Sequence, residues 1–285
     1  MIFYFPYLVL KLGTSKYELF SRTVDRPLPH LHSLTRHSLP CIVLGMKNTA
    51  TSPVKIRQFY LSIAVGCAMF VVLTLVAMLT YTGGTPSDHT APGYSFTQNF
   101  LSNLGMLTAE SGKPNWVSAG LFFIALAAAG ACLVIFFIFF PRFFQNTSLQ
   151  RVLSLIGSIL GVLAGISFIG IAFTPADIAR PGHVFFVMWA FRLFPLAVLF
   201  YVPVLFMDKS YPKFYAWVFA IFCLMLIGYY LLLTNGPSFT SPGGLVIQVV
   251  GQKVISYGSI LSIGIQSIGA YRLLGKVQSA SSNEP

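Results

Sequence analysis

Residues 58–81 read QFYLSIAVGCAMFVVLTLVAMLTY, an apolar run without a single Asp, Glu, Lys or Arg. A helix rising 1.5 Å per residue needs about 20 such residues to cross the hydrocarbon core of a bilayer. This stretch is long enough. The same rule selects 116–140, 152–174, 183–206, 214–234 and 245–271. Composition agrees, with 55% hydrophobic residues and only 9% charged in a chain of 285. Soluble domains carry about 25% charged residues, so this chain lacks the polar groups to cover a water-facing surface. The expected fold is all-α, a polytopic bundle of six transmembrane helices.

Charge orients the bundle. The formal net charge is +11, but the cations sit in short segments beside apolar runs, which is a topology signal and excludes a nucleic-acid partner. Lys55, Arg57, Arg142, Arg151, Lys209, Lys213, Arg272 and Lys276 fall on one side, and only Lys113 and Arg180 on the other. Both termini are therefore expected in the cytoplasm, with 82–115, 175–182 and 235–244 facing outward across a cytoplasmic (inner) membrane of a prokaryote.

Three domains of behaviour follow. Residues 1–45 form a basic extension, expected to be disordered or to arise from an upstream start, with Met46-Lys47 opening the lead-in to the first span. MIFYFPYLVL is too short to span before Lys11. His30, His32 and His37 lie close together in RPLPHLHSLTRHSLP, the pattern of a metal tract; a basic tail is the preferred reading, and no metal is assigned. Residues 46–276 are the membrane domain, and 277–285 a disordered polar tail. The four Cys are far apart and mark neither a disulfide framework nor a metal cluster.

Gly157, Gly161 and Gly165 recur at four-residue spacing, which opens a groove for a neighbouring backbone. Pro195 and Pro203 inside the fourth span favour kinks. Two outward loops share the pattern Thr-Pro-x-Asp-x-x-x-Pro-Gly, at 85–93 and 174–182. Turn chemistry accounts for it, with a helix-pair repeat as the alternative.

Ionisable groups inside spans are costly, by about 2.5–3.5 kcal/mol at the bilayer centre on insertion scales. Arg192 and Lys253 are the two clear cases, each roughly 12–14 Å below the outer boundary by helical rise. No acid lies inside a span. A hydrated pocket in which the two cations receive an anion competes with simple snorkelling to the interface. On span six, Gln248, Gln252, Ser256, Ser259, Ser262 and Gln266 share one stripe, which must face protein or water. In the loop YSFTQNFLSNLG (94–105), Asn99 and Ser102 are three apart, and a short helix there places both on one face over the pocket. With Asp177 and His183 they form the expected rim. Ser102, Asp177 and His183 also hold the residue types of a hydrolase triad.

Asn-x-x-Ser-Asn-Leu-Gly (Asn99 to Gly105), then Pro175-x-Asp177, then His183 opening span four, resembles the domain-of-unknown-function family nine-nine-eight, prokaryotic multi-span membrane proteins. That family shows Asp where this chain has Asn103, which removes a candidate acid. The loop is also similar to the Ile-Ser-Asp-x-Gly signature of Frag1/DRAM/Sfk1 membrane proteins, implicated in lipid handling. The resemblance spans roughly residues 55–275 and implies a six-span core without naming an activity. The leading expectation is a non-enzymatic membrane protein that binds an anionic lipid or small anion, with transport as an extension. Arg192 and Lys253 would hold the charge, and Gln248, Gln252 and Ser256 line the cavity. The alternative is a membrane-embedded lipid hydrolase using His183, Asp177 and Ser102. Membrane lipid is the expected partner, no cofactor is expected, and the oligomeric state is open.

Overall fold

The apolar runs each become one helix in the computed structural model, which describes residues 53–282. The helices are α1 (Pro53–Thr80), α2 (Trp116–Phe139), α3 (Ser148–Ala172), α4 (Arg180–Met207), α5 (Lys213–Asn235) and α6 (Gly244–Ser282). Short 3-10 turns at Leu101–Gly105 and Phe140–Phe143 complete the ordered elements. All six helices are long and apolar enough to cross a membrane, and no strand occurs among the described residues. The His-bearing N-terminal segment lies outside them.

Local chemistry sets the helix ends. Thr147 accepts the N–H of Gln150 through its hydroxyl at 3.2 Å and caps α3. Pro181 occupies the first turn of α4, where its missing N–H costs nothing, so the helix begins at Arg180 rather than at His183. At the far end α6 runs through the segment expected to be disordered from 277, as far as Ser282. It is held there by α1: Arg57 Nη1 donates to Gln278 Oε1 at 3.4 Å, and the Arg57 guanidinium stacks over Tyr271 at 4.3 Å.

Each helix packs on its sequence neighbours, and α6 returns to α1, closing a ring of six. The glycine-spaced face of α3 serves two neighbours rather than one. A Cβ on Gly157 would meet Tyr201 of α4 at 2.8 Å, whereas one on Gly161 would meet Phe137 of α2 at 2.2 Å. Gly165 and Gly130 of α2 bring their backbones together, each Cβ position lying 2.9 Å from the other residue's carbonyl oxygen. Successive positions four apart drift around a helix by about 40°, which turns the stripe from α4 toward α2.

Two apolar clusters fill the ring. One is rich in aromatic residues, including Tyr60, Phe136, Phe140, Phe144, Tyr201 and Tyr211, and reaches the end where the Lys and Arg residues gather. The other, with Phe70, Tyr81, Leu104, Phe122 and Ile171, lies toward the end carrying the 81–115 loop. Large apolar side chains such as Leu79, Leu224 and Leu261 stand outward on the helices, as a lipid-facing surface requires.

Candidate functional site

The loop after α1 is built as a rigid cover. Gly83 and Gly84 take φ of 109° and 83°, a left-handed region open to glycine. A Cβ on Gly84 would also lie 2.2 Å from the Ser111 nitrogen. Asn99, fully buried, ties the loop together. Its Nδ2 donates to the Gly84 carbonyl at 2.8 Å, and its Oδ1 accepts the Ser95 N–H at 2.8 Å. Tyr94 donates its phenol to the carbonyls of Asn99 and Phe100. Burial holds that phenol above its ordinary range, so it stays a donor.

The 3-10 turn Leu101–Gly105 then lies against α1, α2 and α6. Asn115 Nδ2 and Ser118 Oγ both donate to the Leu104 carbonyl, at 3.2 and 3.1 Å. Gly105 is required by close approach, since a Cβ there would sit 2.6 Å from the Phe122 ring. This is the role of Asn-Leu-Gly at the end of the loop. A short helix does form where expected, but Asn99 precedes it and points into the loop, so Asn99 and Ser102 do not share a face.

Beneath the turn, the middle of the ring is hollow. An inner cavity of about 90 Å³ is lined by apolar groups from α1, α2, α3, α4 and α6, among them Phe70, Leu126, Cys132, Phe168 and Phe194. Polar lining comes from Ser102, His183, Gln252, Ser256 and Ser259. An outer cavity of about 240 Å³ lies between the N-terminal part of α2 and the α3–α4 connection, walled by Leu107, Trp116, Gly120, Phe123 and Pro175. The two share Ser102, Phe122, Ile171 and His183, so they meet at those side chains.

Two polar groups of the inner cavity, His183 and Gln252, are each pinned at one end. His183 Nδ1 lies 2.8 Å from the Thr174 carbonyl oxygen. A carbonyl only accepts, so Nδ1 carries the proton and Nε2 of the neutral ring is an acceptor. Gln252 meets the Leu101 N–H at 2.6 Å, and since an N–H only donates, Oε1 accepts. Its Nε2 has no acceptor among the described residues, nor does the Ser102 hydroxyl make a hydrogen bond among them.

The expected cation pair is not brought together. Arg192 is exposed on the outside of α4, its guanidinium 6.0 Å from the Trp189 ring centroid. Lys253 is 1% exposed, donates to the Asn99 carbonyl, and lies 5.2 and 5.1 Å from the Tyr94 and Phe96 ring centroids. It is a tie for the loop. Neither cation lines either cavity. The two lie on different helices, and equal depth does not say which way each helix face is turned, which is why sequence placed them side by side.

The polar stripe of α6 does face inward. Gln252, Ser256 and Ser259 line the inner cavity, and Gln266 bridges Tyr211 and Tyr215. Gln248, expected to line the cavity as well, lines neither space and donates instead to the carbonyls of Leu232 and Pro237 beside the end of α5. Asp177 accepts the Thr108 N–H at 2.9 Å, leaving the Thr174 carbonyl as the partner of His183. Among the described residues no group of three His, Cys, Asp or Glu is placed to hold a metal. The cavity-lining Phe70, Phe122 and Phe168 were not singled out by sequence, because an apolar residue beside a void reads like any core residue.

No known protein family, curated protein or solved structure matches the chain. The fold and site define a class directly: six membrane-length helices in a ring around a mostly apolar cavity, an architecture that fits a multi-pass membrane protein.

Proposed function

We propose that this protein binds a membrane lipid inside the helix ring, with an acyl chain in the inner cavity and the ester-level polar groups at Ser102, His183 and Gln252. The observation that carries this reading is the composition of the cavity wall. No Lys, Arg, Asp or Glu lines either space, so the part of the ligand held there is uncharged, and any charged headgroup stays outside. An empty cavity in a close-packed interior costs roughly 24 cal/mol per Å³, or about 2 kcal/mol for the inner space. Apolar walls do not retain water well, whereas an acyl chain recovers the lost contacts.

The outer cavity is the route of entry. Leu107, Trp116 and Phe123 wall it and are also exposed on the outside of the bundle, Trp116 at 73%. Ligand arriving from the surrounding leaflet passes between α2 and the α3–α4 connection. With the Lys- and Arg-rich end in the cytoplasm, that leaflet is the outer one of a prokaryotic cytoplasmic membrane.

The test is native mass spectrometry of the full chain, extracted from its membrane, beside Ala129→Phe. Ala129 lines the inner cavity, so the ring fills it. Bound lipid on the wild type that is lost in the variant supports the reading; equal spectra without lipid overturn it.

A further inference from the structure

We propose that the junction of the two cavities is an acyl-transfer site, with Ser102 as nucleophile, His183 as general base and Gln252 as the donor that stabilises the oxyanion. This rests on the lipid reading above and names the substrate class: an ester of a membrane lipid.

The groups are complementary in their free valences. Ser102 lines both spaces, and its hydroxyl is uncommitted among the described residues. His183 reaches the same two spaces, with the Thr174 carbonyl fixing the tautomer that leaves Nε2 free to take a proton. A carboxylate fills that orienting position in the usual triad; here a backbone carbonyl does. Gln252 lines the inner cavity, and its Oε1 is anchored by the N–H of Leu101, the residue preceding Ser102. That anchor leaves its N–H₂ uncommitted among the described residues, the kind of donor an oxyanion needs. An ester with its chain in the inner cavity and its alcohol portion in the outer one straddles all three.

The step balances without a cofactor. Ser102 Oγ attacks the ester carbonyl carbon as its proton passes to His183 Nε2. The carbonyl oxygen takes up the electron pair and is held by the Gln252 amide. Collapse breaks the carbon–oxygen bond, and His183 returns the proton to the departing alcohol. Water then attacks the acyl-serine, again through His183, releasing the fatty acid and restoring Ser102.

The test uses the full chain in lipid nanodiscs, treated with an alkyl fluorophosphonate, with the adduct mapped by peptide mass spectrometry. The account expects labelling at Ser102, abolished in Ser102→Ala. His183→Asn is the informative variant. Its amide keeps a donor where Nδ1 sits, so the Thr174 contact survives, but no group replaces Nε2. Labelling should slow by roughly 10²–10⁴-fold. Gln252→Leu should slow it by roughly 10²–10³-fold. Absence of labelling, or labelling untouched by His183→Asn, overturns the acyl-transfer site. Native mass spectra of the same samples separate the two claims: retained lipid without labelling leaves the binding reading standing, and loss of both removes it as well.

Discussion

The ammonium of Lys253 donates to the backbone carbonyl of Asn99, so a cation within a membrane-length helix fastens the loop that covers the cavity. A hydrogen bond to a charged group contributes about 1.5–3 kcal/mol. Lys253→Met should therefore lower the melting temperature by roughly 3–12 °C and open the 94–105 loop to protease. Arg192→Met removes an exposed group with one distant aromatic contact, and should leave both within error. Thermal scanning with limited proteolysis reads the contrast; equal losses from the two variants would restore a shared role for the cations.

Gly120 lines the outer cavity, and a Cβ there meets nothing within 4 Å. Gly120→Phe should thus fill the entry route without disturbing the fold. The expected result is unchanged thermal stability with a several-fold slower exchange of a fluorescent lipid into the protein. Unchanged exchange would place the entry elsewhere.

The contact between Gly130 and Gly165 joins α2 to α3 through their backbones. Gly165→Ala overpacks that contact and should cost about 1–3 kcal/mol. Gly228→Ala, where a Cβ meets nothing within 4 Å, is the matched control and should cost nothing. Comparative unfolding of the two in the same detergent decides it.

Much of this architecture is legible in sequence because membrane physics leaves few choices. Apolar run length selects the six helices, and the amide and hydroxyl stripe of α6 correctly announces an inward face, as Gln252 and Gln266 show. Pro181-Gly182 and Pro242-Gly243 mark the starts of α4 and α6, whereas Pro92-Gly93 lies within the long loop. The site is less legible. His183 and Ser102 stand out as residue types, and they do reach a common space, but the groove that makes them neighbours is formed by Phe122 and Ile171, ordinary apolar residues. The partner of His183 is a backbone carbonyl, which no side-chain pattern encodes. Arg192 and Lys253 share a depth, yet depth says nothing of which way a helix face is turned. Their separation comes from packing between α4 and its neighbours.

The central claim is that lipid enters the ring. A phospholipid carrying a diazirine in its acyl tail, reconstituted with the full chain and photolysed, tests it most directly through peptide mass spectrometry of the adducts. The account predicts adducts on Phe122, Phe168 and Ile260, which line the inner cavity, in addition to outward residues such as Leu79 and Leu261. Adducts confined to the outward residues would contradict it.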